Sequence, residues 1–360
     1  MPKGGIVTDH LMNGCDIRFQ CLKSIVQILP KFELLLCDNT RSILLGAALL
    51  GVRDMPPVRS VAVVRDNRFY CVRPQQNRMV SNKVCTECHF ACVREDVAPA
   101  GQTHRRINME LTRRTRRAAL TRYGSVVVTS HELARQVAGI VDDPSRIRRI
   151  PNTIGDPEVI RSWIRDVQTG PGDRLLTIGM LNENKGQLAF LRAAMPWLVK
   201  RPSVKLVFAG RGERIRSQIN DFVDANGLEK QVQLLGFLKR DELFREIARS
   251  RLVLAPTVWP EPFGRVPLEA GIAKRAIIAF AVGGLNENIV DGHTGRLVEP
   301  GNYPAFLNVL DTLLDDSAER ERLAENAEKF IARKFSRENT VIPFLEHVFR
   351  SQKPCVNAPD

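Results

Sequence analysis

The stretch Trp259-Pro-Glu-Pro-Phe-Gly-Arg-Val-Pro-Leu-Glu-Ala270 decides the fold of this chain. The apolar run Arg251-Leu-Val-Leu-Ala-Pro256 precedes it and predicts a buried strand, whereas the small apolar residues from Leu268 onward predict a helix. Pro262 and Gly264 lie in the turn between these two elements. A strand, a tight turn and a helix N-terminus together form an anion site, because the free N–H groups of the first helical turn point toward a ligand.

Two carboxylates, Glu261 and Glu269, stand eight residues apart in this stretch. Glu261 falls in the loop, where its carboxylate can accept hydrogen bonds from sugar hydroxyls. Glu269 falls in the helix, where it can reach the hydroxyls of a ribose. A Glu-x7-Glu spacing also occurs by chance in many helices. Its position between a strand and a helix, with Pro-Phe-Gly inside it, favours a binding site.

Two more motifs follow, Gly283-Gly-Leu-Asn-Glu287 and Gly292-His-Thr-Gly-Arg-Leu-Val298. Together with residues 261–270 they resemble the donor-binding half of the retaining glycosyltransferases of family four. The resemblance is close over residues 174–335 and looser before them. It implies an α/β protein with the GT-B fold, in which two Rossmann-like domains face a central cleft.

The resemblance also implies an activity. A sugar would move from a nucleotide-diphosphate sugar to an acceptor hydroxyl with retention of configuration and without a required catalytic metal, as in the assembly of cell-surface polysaccharide or glycolipid. The transferred group would be a hexose, and the acceptor a sugar or a lipid-linked molecule. Two other classes stay open: a GT-B protein that binds a nucleotide sugar without turnover, and a basic protein that binds nucleic acid.

The run Arg174-Leu-Leu-Thr-Ile-Gly179 predicts a strand, and Lys185 follows it at the position with which this family grips the donor diphosphate. Met180 stands where the family has an arginine, so one positive contact is missing. Arg211 is expected to replace that contact in part.

The resemblance assigns roles residue by residue. Catalytic roles fall to Glu261, Lys185 and Arg65. Arg65-Asp66 replaces the usual His-Asp of the family, and an arginine cannot act as a base at neutral pH. The residues expected to contact the donor are Gly179, Lys185, Gly210, Arg211, Pro262, Phe263, Gly264, Glu269, Gly283 and Gly284.

The first half of the chain alternates strand 32–37, helix 41–51 and strand Ser60–Val64, which predicts a parallel sheet. The strand that normally precedes the glycine turn is missing before Gly4-Gly5, so we expect a first domain that is either shortened or truncated at its N-terminus.

Five segments organise the predicted protein. Residues 1–168 form the acceptor-side domain, which includes a cysteine-containing loop at 66–100. Residues 169–335 form the donor domain, and residues 336–360 form a tail that crosses back to the first domain. A linker is expected at 153–173, with its plainest break at Gly170-Pro-Gly172.

Four cysteines fall in the loop at 66–100, at zinc-finger-like spacing: Cys71, Cys85, Cys88 and Cys92. Four thiolates at this spacing can hold one structural Zn²⁺ ion. Four reduced cysteines in a small core are the competing interpretation. Cys85-Thr-Glu-Cys-His89 also matches the haem c attachment pattern, but the chain shows no export signal, and a reducing compartment disfavours a disulfide.

The net charge of +13 is unevenly distributed. Residues 1–168 hold 26 Lys and Arg against 16 Asp and Glu, a net of +10, whereas residues 169–360 hold 27 against 24, a net of +3. Residues 104–122 predict a helix that carries seven arginines. A basic half favours an anionic partner, and we expect an anionic membrane surface. A solvated basic surface is the simpler alternative.

The distribution of apolar residues bears on where in the cell the protein is found. No run of about 18 apolar residues predicts a membrane span, and Met1-Pro-Lys-Gly-Gly5 opens no signal peptide. We expect a cytoplasmic protein, peripheral at the inner face of the membrane. No nucleic-acid partner is expected, because aromatic residues do not interleave the basic helix.

Overall fold

The computed structural model describes residues 33–51, 58–69, 99–170 and 172–350, with the backbone alone described at 68, 99–106 and 350. These residues form two compact units. The first unit holds the described residues up to Pro151 and those from Ile342 onward, and the second holds those from Asn152 to Val341. The predicted zinc ligands Cys71, Cys85, Cys88 and Cys92 lie outside the described residues, as do Gly4 and Gly5.

The first unit contains a parallel sheet with the strand order β1-β2-β3-β4. Its core is built from apolar side chains such as Ile43, Val64 and Val128. Ser130 caps the helix that begins at His131, because its hydroxyl accepts a hydrogen bond from the Leu133 amide at 3.1 Å. The elements in chain order are β1 (Leu34–Cys37), α1 (Thr40–Leu50), β2 (Arg59–Val64), α2 (Pro99–Thr121), β3 (Ser125–Val128), α3 (His131–Ala138) and β4 (Ile147–Arg149).

The second unit contains a parallel sheet with the order β10-β9-β8-β5-β6-β7, covered by helices on both faces. The α/β class with parallel sheets that the sequence predicts is therefore confirmed. The elements are α4 (Pro157–Ile164), β5 (Asp173–Ile178), α5 (Gln187–Val199), β6 (Val204–Ala209), α6 (Glu213–Ala225), β7 (Val232–Gly236), α7 (Arg240–Arg249), β8 (Leu252–Ala255), α8 (Val266–Ile272), β9 (Ile277–Phe280), α9 (Leu285–Asn288), β10 (Arg296–Val298), α10 (Tyr303–Asp315) and α11 (Ser317–Lys334).

Helix α4 corrects the linker predicted at 153–173. Asp156 caps the helix by accepting a hydrogen bond from the Glu158 amide at 2.9 Å, and a proline occupies the first helical position. Ile160 is buried, and the ring of Trp163 lies 5.9 Å from that of Phe244 in α7. The segment is helical because these apolar residues recur at helical spacing and pack against a neighbouring helix.

Helix α12 (Val341–Arg350) follows the second unit in sequence, and its residues from Ile342 onward pack in the first. Val348 and Phe344 contact Val61, Val63 and Val127 of the first sheet. Val348 is almost fully buried, so the apolar face of the helix holds the tail on that sheet.

Helix α2 covers the basic segment predicted as helical at 104–122, and it begins earlier, at Pro99. It is too rich in arginine to lie within a bilayer. Across the described ranges, no helix combines the length and the apolar character that crossing a membrane requires.

Candidate functional site

Most of the predicted donor residues lie beyond the carboxyl ends of β5, β8 and β9, whereas Gly210 and Arg211 follow β6. The chain runs outward from β5 through β6 to β7, and then returns to the other side of β5 with β8, β9 and β10. Ligands of open parallel sheets bind at such a reversal of strand order. A cavity at this place is lined by Lys185, Glu261, Gly264 and Arg265, among others.

Lys185 is held by the loop that follows β5. The residue ends a 3₁₀ turn, Glu183–Lys185, and its amide donates to Asn182 Oδ1 at 3.0 Å. The carbonyl of Asn184 accepts hydrogen bonds from Thr257 Oγ1 at 2.9 Å and from the Val258 amide at 3.1 Å. These bonds tie the loop after β5 to the loop after β8 and bring Lys185 toward Glu261.

The ammonium group of Lys185 forms an ion pair with Glu261 Oε1. The two residues are 76 positions apart in the chain. The Glu261 side chain is only 12% exposed, so its carboxylate is largely withdrawn from water. Lys185, whose charge suits a phosphate, is therefore in contact with Glu261, whose carboxylate suits hydroxyls.

Glu269 lies in α8 of the same unit, and only 12% of its side chain is exposed. Burial raises the pKa of this carboxyl, and the positive charges of Arg265, Arg240 and Lys185 act in the opposite direction. Arg265 Nε lies 3.6 Å from Glu269 Oε1. A buried carboxylate near these cations suits hydroxyl donors, because each donated hydrogen bond stabilises the charge.

Close backbone contacts explain the glycines at the site. A Cβ on Gly210 would lie 1.8 Å from the carbonyl oxygen of Gly179. Gly283 has a φ of +49°, and a Cβ there would lie 2.5 Å from the carbonyl oxygen of Glu261. Gly284 donates its amide to that same oxygen at 2.6 Å. A side chain at Gly210 or Gly283 would therefore collide with the backbone of the neighbouring loop.

Pro262, Phe263 and Gly264 form the turn between β8 and α8. Phe263 is 5% exposed and packs edge-on against Phe335, with ring centroids 5.8 Å apart. Asn288 Nδ2 donates to the Phe263 and Gly264 carbonyls. The Phe263 side chain therefore anchors the turn in the core, and any contact with a donor falls to the backbone.

Arg211 lies at the end of β6 with its guanidinium over the ring of Phe237, 4.0 Å from the ring centroid. Phe237 follows β7 and is 60% exposed, and Met180 after β5 is 55% exposed. The sequence interpretation assigned no role to Arg265, although an arginine four residues before Glu269 was a visible signal. Nothing in the sequence pairs Arg211 with Phe237.

Arg65 belongs to the first unit, at the end of β2. Its Nε lies 2.8 Å from Asp38 Oδ1, which follows β1, and both side chains are about half exposed. The role predicted for Arg65 toward a donor stays a prediction, as does the zinc site. Within the ranges that the structure describes, no group of His, Cys, Asp and Glu is arranged to hold a metal ion.

Comparisons with known proteins cover the segment of the chain that carries this site. Residues 165–330 match the family model for glycosyl transferases group 1. The chain is 32% identical over 224 residues to an uncharacterized glycosyltransferase of Methanocaldococcus jannaschii, covering 59% of this chain and 57% of that protein. It is 33% identical over 183 residues to the alpha-D-kanosaminyltransferase of Streptomyces kanamyceticus, covering 50% and 47%. The chain thus spans about half the length of the curated relatives that it matches.

Among solved structures, Anabaena HepE in complex with UDP matches with a TM-score of 0.67 at 18% identity, over 91% of this chain and 80% of that one. HepE has also been solved with UDP-glucose. At this identity the likeness concerns the fold alone. It confirms the GT-B fold that the sequence predicted.

Proposed function

We propose that this protein is a glycosyltransferase that moves a sugar from a nucleotide-diphosphate sugar to an acceptor hydroxyl. One observation carries the proposal: Lys185 pairs with Glu261 at the switch point, and its charge also acts on Glu269, in a segment that matches glycosyl transferases group 1. The similarity to HepE, whose structure holds UDP, supports a nucleotide-linked donor. Assembly of a cell-surface polysaccharide or glycolipid is the setting that we propose.

Each residue has a stated role in the reaction. Lys185 stabilises the negative charge that grows on the leaving diphosphate. Glu261 accepts hydrogen bonds from sugar hydroxyls, and Glu269 accepts them from the ribose. Glycines 283 and 284 let the backbone approach the phosphates.

The bond changes balance without a further reactant. The bond from the anomeric carbon to the diphosphate oxygen breaks, and the acceptor oxygen forms the new bond to that carbon. The acceptor proton passes to the departing phosphate oxygen. We propose retention of configuration through this attack from the same face, since Glu261 is engaged by Lys185 and neither carboxylate is assigned as a covalent nucleophile.

The test is a screen of UDP-, GDP- and ADP-linked hexoses for hydrolysis and for transfer. The expected result is turnover of one donor, with retention seen by NMR of the product anomer. Lys185→Met, which removes the charge that stabilises the leaving group, should lower turnover by about 10²-fold or more. Donor binding without turnover would favour the nucleotide-sugar-binding alternative, and binding of random RNA but of no nucleotide sugar would reject the proposal.

The acceptor side has a second observation, on helix α2. Ile107 and Leu111 are 53% and 56% exposed, and they lie one helical turn apart. The side chain of Arg114, three residues after Leu111, is 75% exposed. Exposed aliphatic residues flanked by arginine on one helix suit the surface of an anionic bilayer. We propose that this face docks on anionic lipid and presents a lipid-linked acceptor to the first unit.

Sedimentation with vesicles tests the docking. Binding should require anionic lipid and should weaken as salt shortens the Debye length from about 8 Å at physiological ionic strength to about 3 Å at 1 M. Leu111→Ser and Arg114→Gln should each reduce it. Val199→Ser is the matched control, because Val199 is equally exposed but lies in the second unit. Equal binding to neutral vesicles would reject the docking.

A further inference from the structure

The charges at the candidate donor site come in two pairs of opposite sign. Lys185 contacts Glu261, and Arg265 lies beside Glu269. A phosphate that binds Lys185 must therefore bind next to a carboxylate that already occupies the ammonium group. The phosphate and the Glu261 carboxylate are both negative and repel each other. The repulsion is stronger for a poorly hydrated carboxylate than for an exposed one.

Backbone contacts hold in place the two loops that carry Lys185 and Glu261. The Glu261 carbonyl is held by the Gly284 amide at 2.6 Å, and the Lys185 amide is held by Asn182 at 3.0 Å. Gly186 packs so tightly that a Cβ would lie 2.1 Å from the Pro256 carbonyl oxygen, which locks the two loops together. An arriving anion can be accommodated only by a change in the side-chain contacts of Glu261.

We infer that Glu261 is a specificity-determining residue that distinguishes the intact donor from the released diphosphate, because both the carboxylate and the phosphates compete for Lys185. The inference rests on the proposed function and deepens it. With an intact donor, sugar hydroxyls donate to Glu261 and compensate the carboxylate as it gives up Lys185. With a free diphosphate nothing donates to Glu261, so its charge opposes binding and favours product release.

This role predicts that removing the charge of Glu261 strengthens the binding of a free diphosphate. Glu261→Gln keeps the size of the side chain and removes its charge. The affinity of the full-length protein for inorganic pyrophosphate, measured by calorimetry at low salt, should rise about two- to fivefold, as expected for one partly screened charge pair. The gain should shrink as salt is added. Turnover of the sugar donor should fall in the same variant.

Two controls isolate the effect. Glu229→Gln makes the same change of net charge at an exposed site just before β7, the edge strand two places from β5, and should leave pyrophosphate affinity unchanged. Lys185→Met should abolish most pyrophosphate binding, and adding Glu261→Gln to it should restore nothing. Thermal unfolding of each variant checks that the fold is retained.

The outcomes separate this inference from the proposed function. The inference would be overturned if Glu261→Gln bound pyrophosphate no more tightly than the wild type does. It would also be overturned if neither the wild type nor the variant bound pyrophosphate measurably. The donor screen could still succeed in either case, so the proposed function would stand. A rise in affinity that Glu229→Gln reproduces would reduce the effect to net charge and would overturn it as well.

Discussion

The carboxyl ends of the two sheets differ in how they hold their charged residues. In the second unit, the side chains of Glu261 and Glu269 are only 12% exposed, and glycine residues pack closely against the neighbouring backbone. In the first unit, Arg65 and Asp38 form an ion pair whose side chains are about half exposed to water. Both sheets are parallel and both end in loops and helix N-termini, so the topology alone does not cause the difference.

The difference lies in the desolvation of the carboxylates. A buried carboxylate costs free energy unless it is paired or hydrogen-bonded, and the second unit accepts this cost at two positions. A site that carries such a cost is a candidate for function, because structural stability would favour a neutral residue there. The exposed pair of the first unit carries little cost and contributes little.

The largest test of this comparison replaces one glycine in each unit. Gly210→Ala should lower the free energy of unfolding by about 3 kcal/mol or more, because its Cβ would overlap the Gly179 carbonyl oxygen, which belongs to the backbone. Gly139→Ala, whose Cβ would lie 3.8 Å from the nearest atom, should change it by less than about 0.5 kcal/mol. Urea unfolding measures both. Equal losses in the free energy of unfolding would mean that the candidate site in the second unit is no more tightly packed than the first unit.

The next test removes a buried charge. Glu269→Gln should weaken donor binding by about 1.5–3 kcal/mol, the contribution of hydrogen bonds to a charged group, and calorimetry with the donor found in the screen measures it. Glutamine keeps the shape of the side chain, so a general loss of structure is not expected. Unchanged donor affinity would remove Glu269 from the site.

The same variant should alter the pH dependence of stability. Because burial raises the pKa of Glu269 above its ordinary value of 4.5, the folded state binds the proton more tightly than the unfolded state does. The ionised form therefore destabilises the wild type at neutral pH, and this destabilisation disappears as pH falls to 4.5. Glu269→Gln should unfold at a higher temperature than wild type at pH 7, with the difference vanishing near pH 4.

A smaller effect is expected in the first unit, where α12 meets β3. His347 Nε2 and Ser125 Oγ are 2.6 Å apart, and burial together with the charge of Arg148 lowers the pKa of His347 below 6.5. The unfolded state then takes up the proton first, so stability falls as pH decreases from 6.5 toward the folded pKa. His347→Gln should flatten the unfolding temperature between pH 7.5 and 5.5. An unaltered slope would show that other groups cause it.

The smallest effect is expected at the exposed pair of the first unit. Asp38→Asn should change the free energy of unfolding by less than about 0.5 kcal/mol, because water screens a half-exposed ion pair. Chemical denaturation at low and at high salt measures this. A loss comparable to that of a buried charge would remove the contrast between the two sheets.

Much of the candidate site was predictable from local patterns. Residue type alone predicts a strand at Leu252–Ala255. It also predicts tight turns at Pro262 and at the glycines of the next loop. Those patterns also placed one carboxylate, Glu261, in the loop and another, Glu269, in the helix that follows. Local chemistry was enough here because a turn and a helix start depend on neighbours within a few residues.

Other features depended on distant contacts. Residues 157–164 look like part of a linker in the sequence, yet they form a helix because Ile160 and Trp163 pack within the second unit. Phe263 appears beside ligand-binding residues, but its ring is buried against Phe335. Burial of this kind follows from three-dimensional packing, which residue spacing alone does not contain.

The sequence by itself determined the α/β class, the parallel sheets and the types of residue available for phosphate and sugar, because periodicity and turn chemistry are local properties. Only the tertiary structure decided that Lys185 pairs with Glu261 and that Glu269 lies largely out of water near Arg265 and Arg240. The reason is the order of the strands: β5 and β8 are neighbours in the sheet although three helices and two strands separate them in the chain. Their loops meet at the switch point, and the charges that meet there define the candidate site.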